Sequence, residues 1–371
     1  TMKFTVSREQ LLRPLTLVAG AVERRQTMPI LANLLVRVSG DVLYITGTDL
    51  EVELSATITP IAKAESDGDI TVPARKFVDI CKSLPDGCDI GFELDGGKAI
   101  VKSGRSRYTL ATLPATDFPS VQRDDSGFSV TVNQGDFARL LSRTGFSMAQ
   151  QDVRYYLNGM LWELSGRTFK SVATDGHRLA IAHIDLADTV EGEKQQFIIP
   201  RKGVVELTRL LADESANITV EFGANHIRAT TDGMVFVSKL VDGKFPDYER
   251  VLPKGGNKLV VAKKEDLKAA LSRSAILSNE KFRGIRFTLS DGLVGIQANN
   301  PEQEEAHEEV SVNYQGDTVE MGFNVSYLIE VLGVLGSDEV NITLSDSASS
   351  ALIQDGNADN NALYVVMPMR L

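Results

Sequence analysis

The chain has 371 residues, 43% of them hydrophobic, with four histidines, two cysteines and a formal net charge of −11. That length suits two or three domains with cores of their own; no apolar run approaches the roughly 18 residues that would span a bilayer, and two cysteines cannot by themselves supply a closed zinc site. An acidic balance, taken alone, argues against a nucleic-acid binder.

The N-terminus opens on a charged amphipathic stretch without an apolar h-region, so no signal peptide is expected. FTVSREQLLRPL puts Phe4 and Val6 on an alternating strand, then Leu11 and Leu12 on a helix that Ser7-x-x-Gln10 can cap. Pro14 should kink or shorten that helix, because it lacks an amide proton. Thr48-Asp49 marks a turn, and Pro73 opens a second helix with Phe77, Ile80, Cys81 and Leu84 on one buried face. A cysteine on such a face reads as a reduced thiol, which points to the cytoplasm. The strand DIGFEL follows, and Phe118-Pro119 ends the stretch.

The same series then runs twice more, with a period of about 125 residues. The second copy has Val130, Val132, Asn133 as a cap, Phe137, Leu140 and Leu141, then Thr174-Asp175. After Pro200 come Val204, Leu207 and Leu211, then NITVEF and Phe245-Pro246. The third has Leu259 and Val261 as the inward strand positions, Leu267, Ala270 and Leu271 on the helix, and Asn299-Asn300 at the turn. Leu328, Val331, Leu332 and Leu335 follow, then NITLS. Three tandem α+β modules are expected, at residues 2–126, 127–254 and 255–371, each with two helices among short strands.

Charge is segregated within these modules. The six helical stretches together carry +7, which leaves −18 on the strands and loops. A single basic helix is ordinarily a solvated face. Six related helices against an opposite background suggest one basic surface, concave if the modules curve.

Catalytic signatures are missing: there is no GxxxxGK[ST], GxSxG, HExxH or CxxC. His177, His183, His226 and His307 show no ligand spacing. The acidic run from Glu302 to Glu309 could hold a hard cation, but its plainer reading is a charged edge strand. Asp175-Gly176-His177-Arg178 has the look of a His–Asp pair. Its counterparts at Thr48-Asp49 and Asn299-Asn300 lack the histidine, so the turn is structural first.

QDVRYYLNGML, VATDGHRLA, SKLVDGKFPDYERVLP, AILSNEKFRG, NNPEQEEA, GFNVSY and YVVMPMRL together resemble the bacterial sliding clamps, the beta subunits of DNA polymerase III. The likeness covers essentially the whole chain. It implies a non-catalytic processivity factor without cofactor or metal. Its fold would be three clamp-type modules, each two helices on antiparallel sheets, in a head-to-tail dimer that makes a six-module ring with helices inside. Implied partners are a second copy, double-stranded DNA and primer-template junctions, the polymerase III alpha subunit and the delta subunit of a separate ATP-driven loader. Other polymerases, mismatch-repair proteins and DNA ligase would follow through clamp-binding motifs. No membrane is implied, and the location is cytoplasmic, on the nucleoid.

Residue by residue, the resemblance implies DNA contacts at Arg25, Gln151, Tyr155, Tyr156, Arg201, Lys202, Phe282 and Arg283. It implies a partner-peptide pocket at Leu157, Thr174, Gly176, His177, Arg178, Leu179, Pro246, Val251, Asn324, Tyr327, Ser350, Val365, Met367, Pro368, Met369 and Arg370. Methionines and small apolar side chains suit a groove that serves many motifs. Ala348 stands where the family often has a bulkier aliphatic residue, which implies a wider subsite. The dimer interface would join Tyr108 and Leu110 to Ile276 and Leu277. At its rim Lys76, Arg105 and Arg107 would face Glu302, Glu304, Glu305 and Glu308.

Overall fold

The computed structural model describes residues 1–25, 27–121, 127–357 and 361–370. The expected module end at 126 and Leu371 of the terminal run lie outside the described residues. The first repeat supplies β1 (Lys3–Ser7), α1 (Arg8–Ala19), β2 (Asn33–Ser39), β3 (Val42–Thr48), β4 (Val52–Ile58), β5 (Lys63–Ser66), β6 (Gly68–Pro73), α2 (Ala74–Ser83), β7 (Asp89–Asp95), β8 (Lys98–Ser103) and β9 (Ser106–Ala111). The second supplies β10 (Phe128–Asn133), α3 (Gln134–Ser142), β11 (Gly159–Thr174), β12 (Arg178–Pro200), α4 (Arg201–Leu210), β13 (Asn217–Phe222), β14 (His226–Thr231) and β15 (Met234–Lys239). The third supplies β16 (Lys258–Lys263), α5 (Lys264–Ala275), β17 (Gly284–Ser290), β18 (Leu293–Asn299), β19 (Glu305–Ser311), β20 (Val319–Asn324), α6 (Val325–Val334), β21 (Glu339–Leu344), β22 (Ala351–Asp355) and β23 (Ala362–Val366).

Among the described residues each of the six α-helices directly follows a strand. Ser7 caps α1 by accepting from the Gln10 amide at 3.2 Å, Asn133 caps α3 through the Asp136 amide at 3.0 Å, and Asn324 caps α6 through Ser326 at 2.9 Å. Pro73 precedes α2 and Pro200 precedes α4, where a missing amide proton leaves nothing unpaired. Pro14 does not shorten α1, which runs on to Ala19.

By contact, the chain forms two compact units, and the second repeat is divided between them. The first unit, Thr1–Phe137 with Lys202–Leu240, holds a five-stranded sheet, β5-β1-β7-β8-β9. It also holds an eight-stranded sheet, β10-β13-β14-β15-β4-β3-β2-β6. In the second, Ala138–Arg201 with Val241–Leu371, the sheets are β11-β12-β23-β22-β21-β16 and β19-β18-β17-β20. The described ladders are all antiparallel. Inward alternation fills each core with aromatic contacts: Phe4 stacks on Phe92 at 5.0 Å, Phe128 on Phe222 at 4.9 Å, and Phe287 meets Phe323 edge-on at 5.8 Å.

One strand phase departs from expectation. Leu259 is 51% exposed and Val261 half-buried, while Val260 and Ala262 are buried and face Ile342 and Val340 across β21. LVVA is apolar throughout, so its own alternation cannot choose a face, and pairing with β21 does.

Two ladders cross from one repeat to the next. In the first unit β15 of the second repeat pairs with β4 of the first, with Ser238 opposite Val52 and Met234 opposite Ala56. In the second unit β23 of the third repeat pairs with β12 of the second, with Val366 opposite Arg178 and Ala362 opposite Ala182. By position, β19 is to the third repeat what β4 is to the first, and β9 corresponds to β15 and β23. β9 and β19 are the terminal strands of their sheets.

Candidate functional site

The repeated turn positions four of the candidate residues, Thr174, Gly176, His177 and Arg178. Thr48 Oγ1 donates to the Val52 carbonyl at 2.9 Å and accepts from the Leu50 amide, while Asp49 Oδ1 accepts from the amides of Glu51 and Val52. Thr174 and Asp175 repeat every one of these bonds with Arg178, Gly176 and His177. The third residue is left-handed in both, Leu50 at φ 78° and Gly176 at φ 89°. Two Thr-Asp pairs therefore fold two turns alike, with side-chain oxygens standing in for ladder bonds. Asp175 and His177 form no catalytic pair, since Asp175 serves its own turn and the His177 side chain points to solvent.

The peptide-pocket candidates gather in the second unit. Leu157, Leu179 and Val365 are buried in one cluster with Phe245 and Tyr248, and Val251, Leu352 and Tyr156 pack against it. Arg178, 8% exposed, closes one side. Its guanidinium donates to Asp175 Oδ2 at 3.2 Å, to Glu330 Oε2 at 2.8 Å and to the Phe146 carbonyl at 3.0 Å, and it lies 4.4 Å from the Tyr327 ring centre. Burial, with Asp175 nearby, pushes the Tyr327 phenol above its ordinary range. The C-terminal run is docked rather than frayed: the Met367 amide donates to His177 at 3.0 Å and the Met369 amide to Gly322 at 2.7 Å. Met369 also lies over Gly284, where a Cβ would sit 3.5 Å from its methyl group.

A buried carboxylate fixes the far wall. Glu163 accepts from Gln196 and from the Tyr248 hydroxyl, both at 2.9 Å, with Lys170 and Lys194 each at 3.7 Å. It thereby anchors the turn that carries Val251, and the same burial raises the Tyr248 phenol. Thr174, Gly176, Asn324, Ser350, Met367, Pro368 and Met369 are half-buried, and Pro246 and Arg370 are exposed. Ala348 is exposed and bonded through its amide to Asp346. Glu163 and Leu352 were not legible as site residues. An acid in an apolar strand, WEL, was the available signal for the first.

The DNA candidates fall mainly on one kind of segment, the loop that follows the first helix of each repeat. Arg25 lies beyond α1, Gln151, Tyr155 and Tyr156 beyond α3, and Phe282 and Arg283 beyond α5. Arg25 and Gln151 are exposed, as are Tyr155 at 55% and Phe282 at 57%. Gln151 and Arg283 both hold φ of 55°, a conformation that non-glycine residues rarely keep without a reason. Arg283 donates to Ser326 Oγ and to the Ala275 carbonyl. Arg201 is half-buried, and its Nη1 has no hydrogen-bond partner.

Lys202 is not a free cation. Its ammonium donates to Asp49 Oδ2 at 2.6 Å and the Ala21 carbonyl at 2.7 Å, with Glu23 Oε1 at 2.6 Å. It pins the segment that leads to Arg25.

At the edges, Tyr108 is half-buried and Leu110 is 6% exposed on β9, while Ile276 is 77% exposed, so Ile276 is not ordinary core. Lys76, Arg105, Arg107, Glu302, Glu304 and Glu305 are exposed. Glu308 already accepts from Arg273 of its own chain at 2.6 Å, which holds its carboxyl below the ordinary range. The acidic run is the edge strand β19 and the turn before it. Among the described residues no three His, Cys, Asp or Glu side chains converge as a metal site would require.

Comparison with known proteins fits this arrangement. Models of the N-terminal, central and C-terminal domains of the DNA polymerase III beta subunit match residues 2–122, 131–247 and 249–370. The "Beta sliding clamp" of Pseudomonas aeruginosa is 58% identical over 370 residues and that of Escherichia coli (strain K12) 50%, each with 100% of both chains covered. A crystal structure of the P. aeruginosa clamp bound to griselimycin superposes with a TM-score of 0.96 at 57% identity over 100% of each chain. "Caulobacter crescentus pol III beta" gives 0.92 at 34%, again over 100% of each.

Proposed function

The chain belongs to the beta sliding clamps, the beta subunits of DNA polymerase III, non-catalytic processivity factors, and from that membership we propose that two copies close head to tail around duplex DNA. The observation that carries the closure is the pair of unpaired edges. At both internal junctions the strand after the repeated turn pairs with the last strand of the following repeat. β19 and β9 are the remaining strands of those two kinds. Carrying the internal register across sets Glu308 opposite Ser106, Ala306 opposite Tyr108 and Glu305 opposite Thr109 of the second copy.

In this reading the modules are 2–126, 127–254 and 255–371. Tyr108 and Leu110 meet Ile276 and Leu277, and the basic residues Lys76, Arg105 and Arg107 face Glu302, Glu304, Glu305 and Glu308. Opposite charges on the rims set register and speed encounter.

Encirclement supplies what contact cannot. Non-specific binding with Kd near ~10⁻⁵ M and association near ~10⁷ M⁻¹s⁻¹ gives a residence of about 10 ms. A closed ring stays because it cannot leave sideways, yet makes no base contact that resists sliding. Arg25, Gln151, Tyr155, Tyr156, Arg201, Phe282 and Arg283 are offered to phosphates and unpaired bases. Lys202 acts beside them by fixing the Arg25 segment.

The apolar cluster beneath Met367–Arg370 receives partner peptides, from the polymerase alpha subunit, the loader delta subunit, other polymerases, mismatch-repair proteins and DNA ligase. All of this takes place in the cytoplasm on the nucleoid. The test is retention: protein loaded on a nicked circular plasmid should co-elute with it in gel filtration and be lost once the plasmid is cut to a linear form. Equal retention on both would refute encirclement.

A further inference from the structure

The repeated turn changes in its third copy, where Asn299-Asn300 replaces Thr-Asp and one residue more precedes the strand, and the change falls at the junction that must open. In the first copy Asp49 uses Oδ1 on its own turn, which leaves Oδ2 to accept from Lys202 of α4 at 2.6 Å. Only 9% of the Asp49 side chain and 20% of the Lys202 side chain is exposed. In the second copy Asp175 again uses Oδ1 on the turn, and its Oδ2 accepts from Arg178, which reaches on to Glu330 of α6. Each internal junction thus holds a sheltered aspartate neutralised by a cation that also ties the turn to the next helix, directly through Lys202 in the first and through Arg178 on to Glu330 in the second.

The third turn carries Asn300. Its Oδ1 accepts from the Glu304 amide at 3.0 Å, four residues on, where each aspartate bonds the amides two and three residues on. Its second arm is Nδ2, which donates to Glu304 Oε1 at 3.0 Å. An amide nitrogen carries no lone pair for a cation, so it presents a donor where the other two turns present an acceptor. The cation it would have met can be named from the repeat. Pro73 corresponds to Pro200, so Arg75 of the second copy stands where Lys202 does, and Arg75 is exposed on α2.

Resting on the head-to-tail ring, we propose that Asn300 keeps the junction between copies separable by withholding the sheltered ion pair that fastens the two junctions within the chain. The ion pairs that remain between copies are those of the exposed rim, Lys76, Arg105 and Arg107 against glutamates, which water and salt weaken. Opening is thereby confined to one kind of junction.

The test transplants the first turn into the third. Asn300→Asp with Glu304→Val recreates the Asp49–Val52 pairing without changing net charge, and subunit exchange is followed by energy transfer between two dye-labelled populations. Exchange should slow about tenfold or more, an effect on dissociation. Adding Arg75→Ala should restore the original rate, whereas Arg75→Ala alone, a surface change that leaves folding intact, should leave exchange unaltered. An unchanged rate in the transplant, slowing that survives Arg75→Ala, or faster exchange from Arg75→Ala alone overturns the proposal while the dimer stands. If the unaltered chain is monomeric at every concentration, the ring itself fails and the proposal with it.

Discussion

β4 and β19 hold the same place in the repeat and have opposite surfaces. Along VELSATI the side chains of Leu54, Ala56 and Ile58 are buried, at 1%, 1% and 6% exposed, and β15 covers the strand's edge. Along EAHEEVS the matching residues are Ala306, Glu308 and Val310, and only Val310 is buried. A junction made once, within a chain, can be apolar because neither side ever meets water alone. A junction made between chains must first survive as a free edge, and charge on that edge prevents indiscriminate pairing. The difference records which joints are permanent.

The strongest way to break the comparison is to remove the apolar centre expected beside β19. Ile276→Ala with Leu277→Ala, which acts at both interfaces of a ring, should weaken dimerisation by about 100-fold or more, given ~1.5–3 kcal/mol for each aliphatic side chain buried. Sedimentation velocity at micromolar concentration should then show monomer, and an intact dimer would count against the interface. Truncation after Val366 sharpens the contrast from the other side. It strips Met367 and Met369 from the proposed peptide groove but touches neither edge. Clamp-motif peptide affinity by fluorescence anisotropy should fall about tenfold or more, the loss expected from exposing an apolar anchor site, while the dimer persists.

A smaller effect is expected at the permanent joint. Asp49→Asn leaves the Lys202 ammonium facing an amide and should cost about 1–3 kcal/mol in denaturant unfolding, with no change in dimer affinity. The smallest concerns Glu206, which occupies on α4 the position of Glu330 on α6. Glu330 has the Arg178 guanidinium at 2.8 Å, whereas Glu206 has half-exposed Arg209 at 3.5 Å. Burial pushes the Glu206 carboxyl above its ordinary range, so the folded chain holds that proton more tightly than the unfolded one. Stability from this group is therefore lost as pH rises from the ordinary carboxylate range through the raised one. Glu206→Gln should raise the melting temperature slightly above that window and leave it unchanged below, as differential scanning calorimetry can check.

Much of this was legible before any coordinates. Ser7, Asn133, Pro73 and Pro200 marked helix starts through capping chemistry that depends on few neighbours. The Thr-Asp pairs foretold a shared turn for the same reason. What stayed hidden was non-local. LVVA gave no phase for β16, because only its partner strand distinguishes Leu259 from Val260. The bonds that hold Lys202 were hidden too, since nothing near it in sequence discloses Asp49 and Ala21. Leu352 and Glu163 reach the candidate site's apolar cluster through sheet pairings that no motif encodes. That β9 and β19 each have a strand on one side alone among the described residues could not be read either, as an edge is defined by the strand that is not there.

Amide hydrogen exchange across a dilution series tests most directly whether the third junction repeats the first two between chains. The account predicts that amides of β9 and β19 lose protection together as the protein is diluted below its dimer affinity, while those of β4, β15, β12 and β23 keep theirs. Protection of β9 and β19 that does not depend on concentration would contradict it.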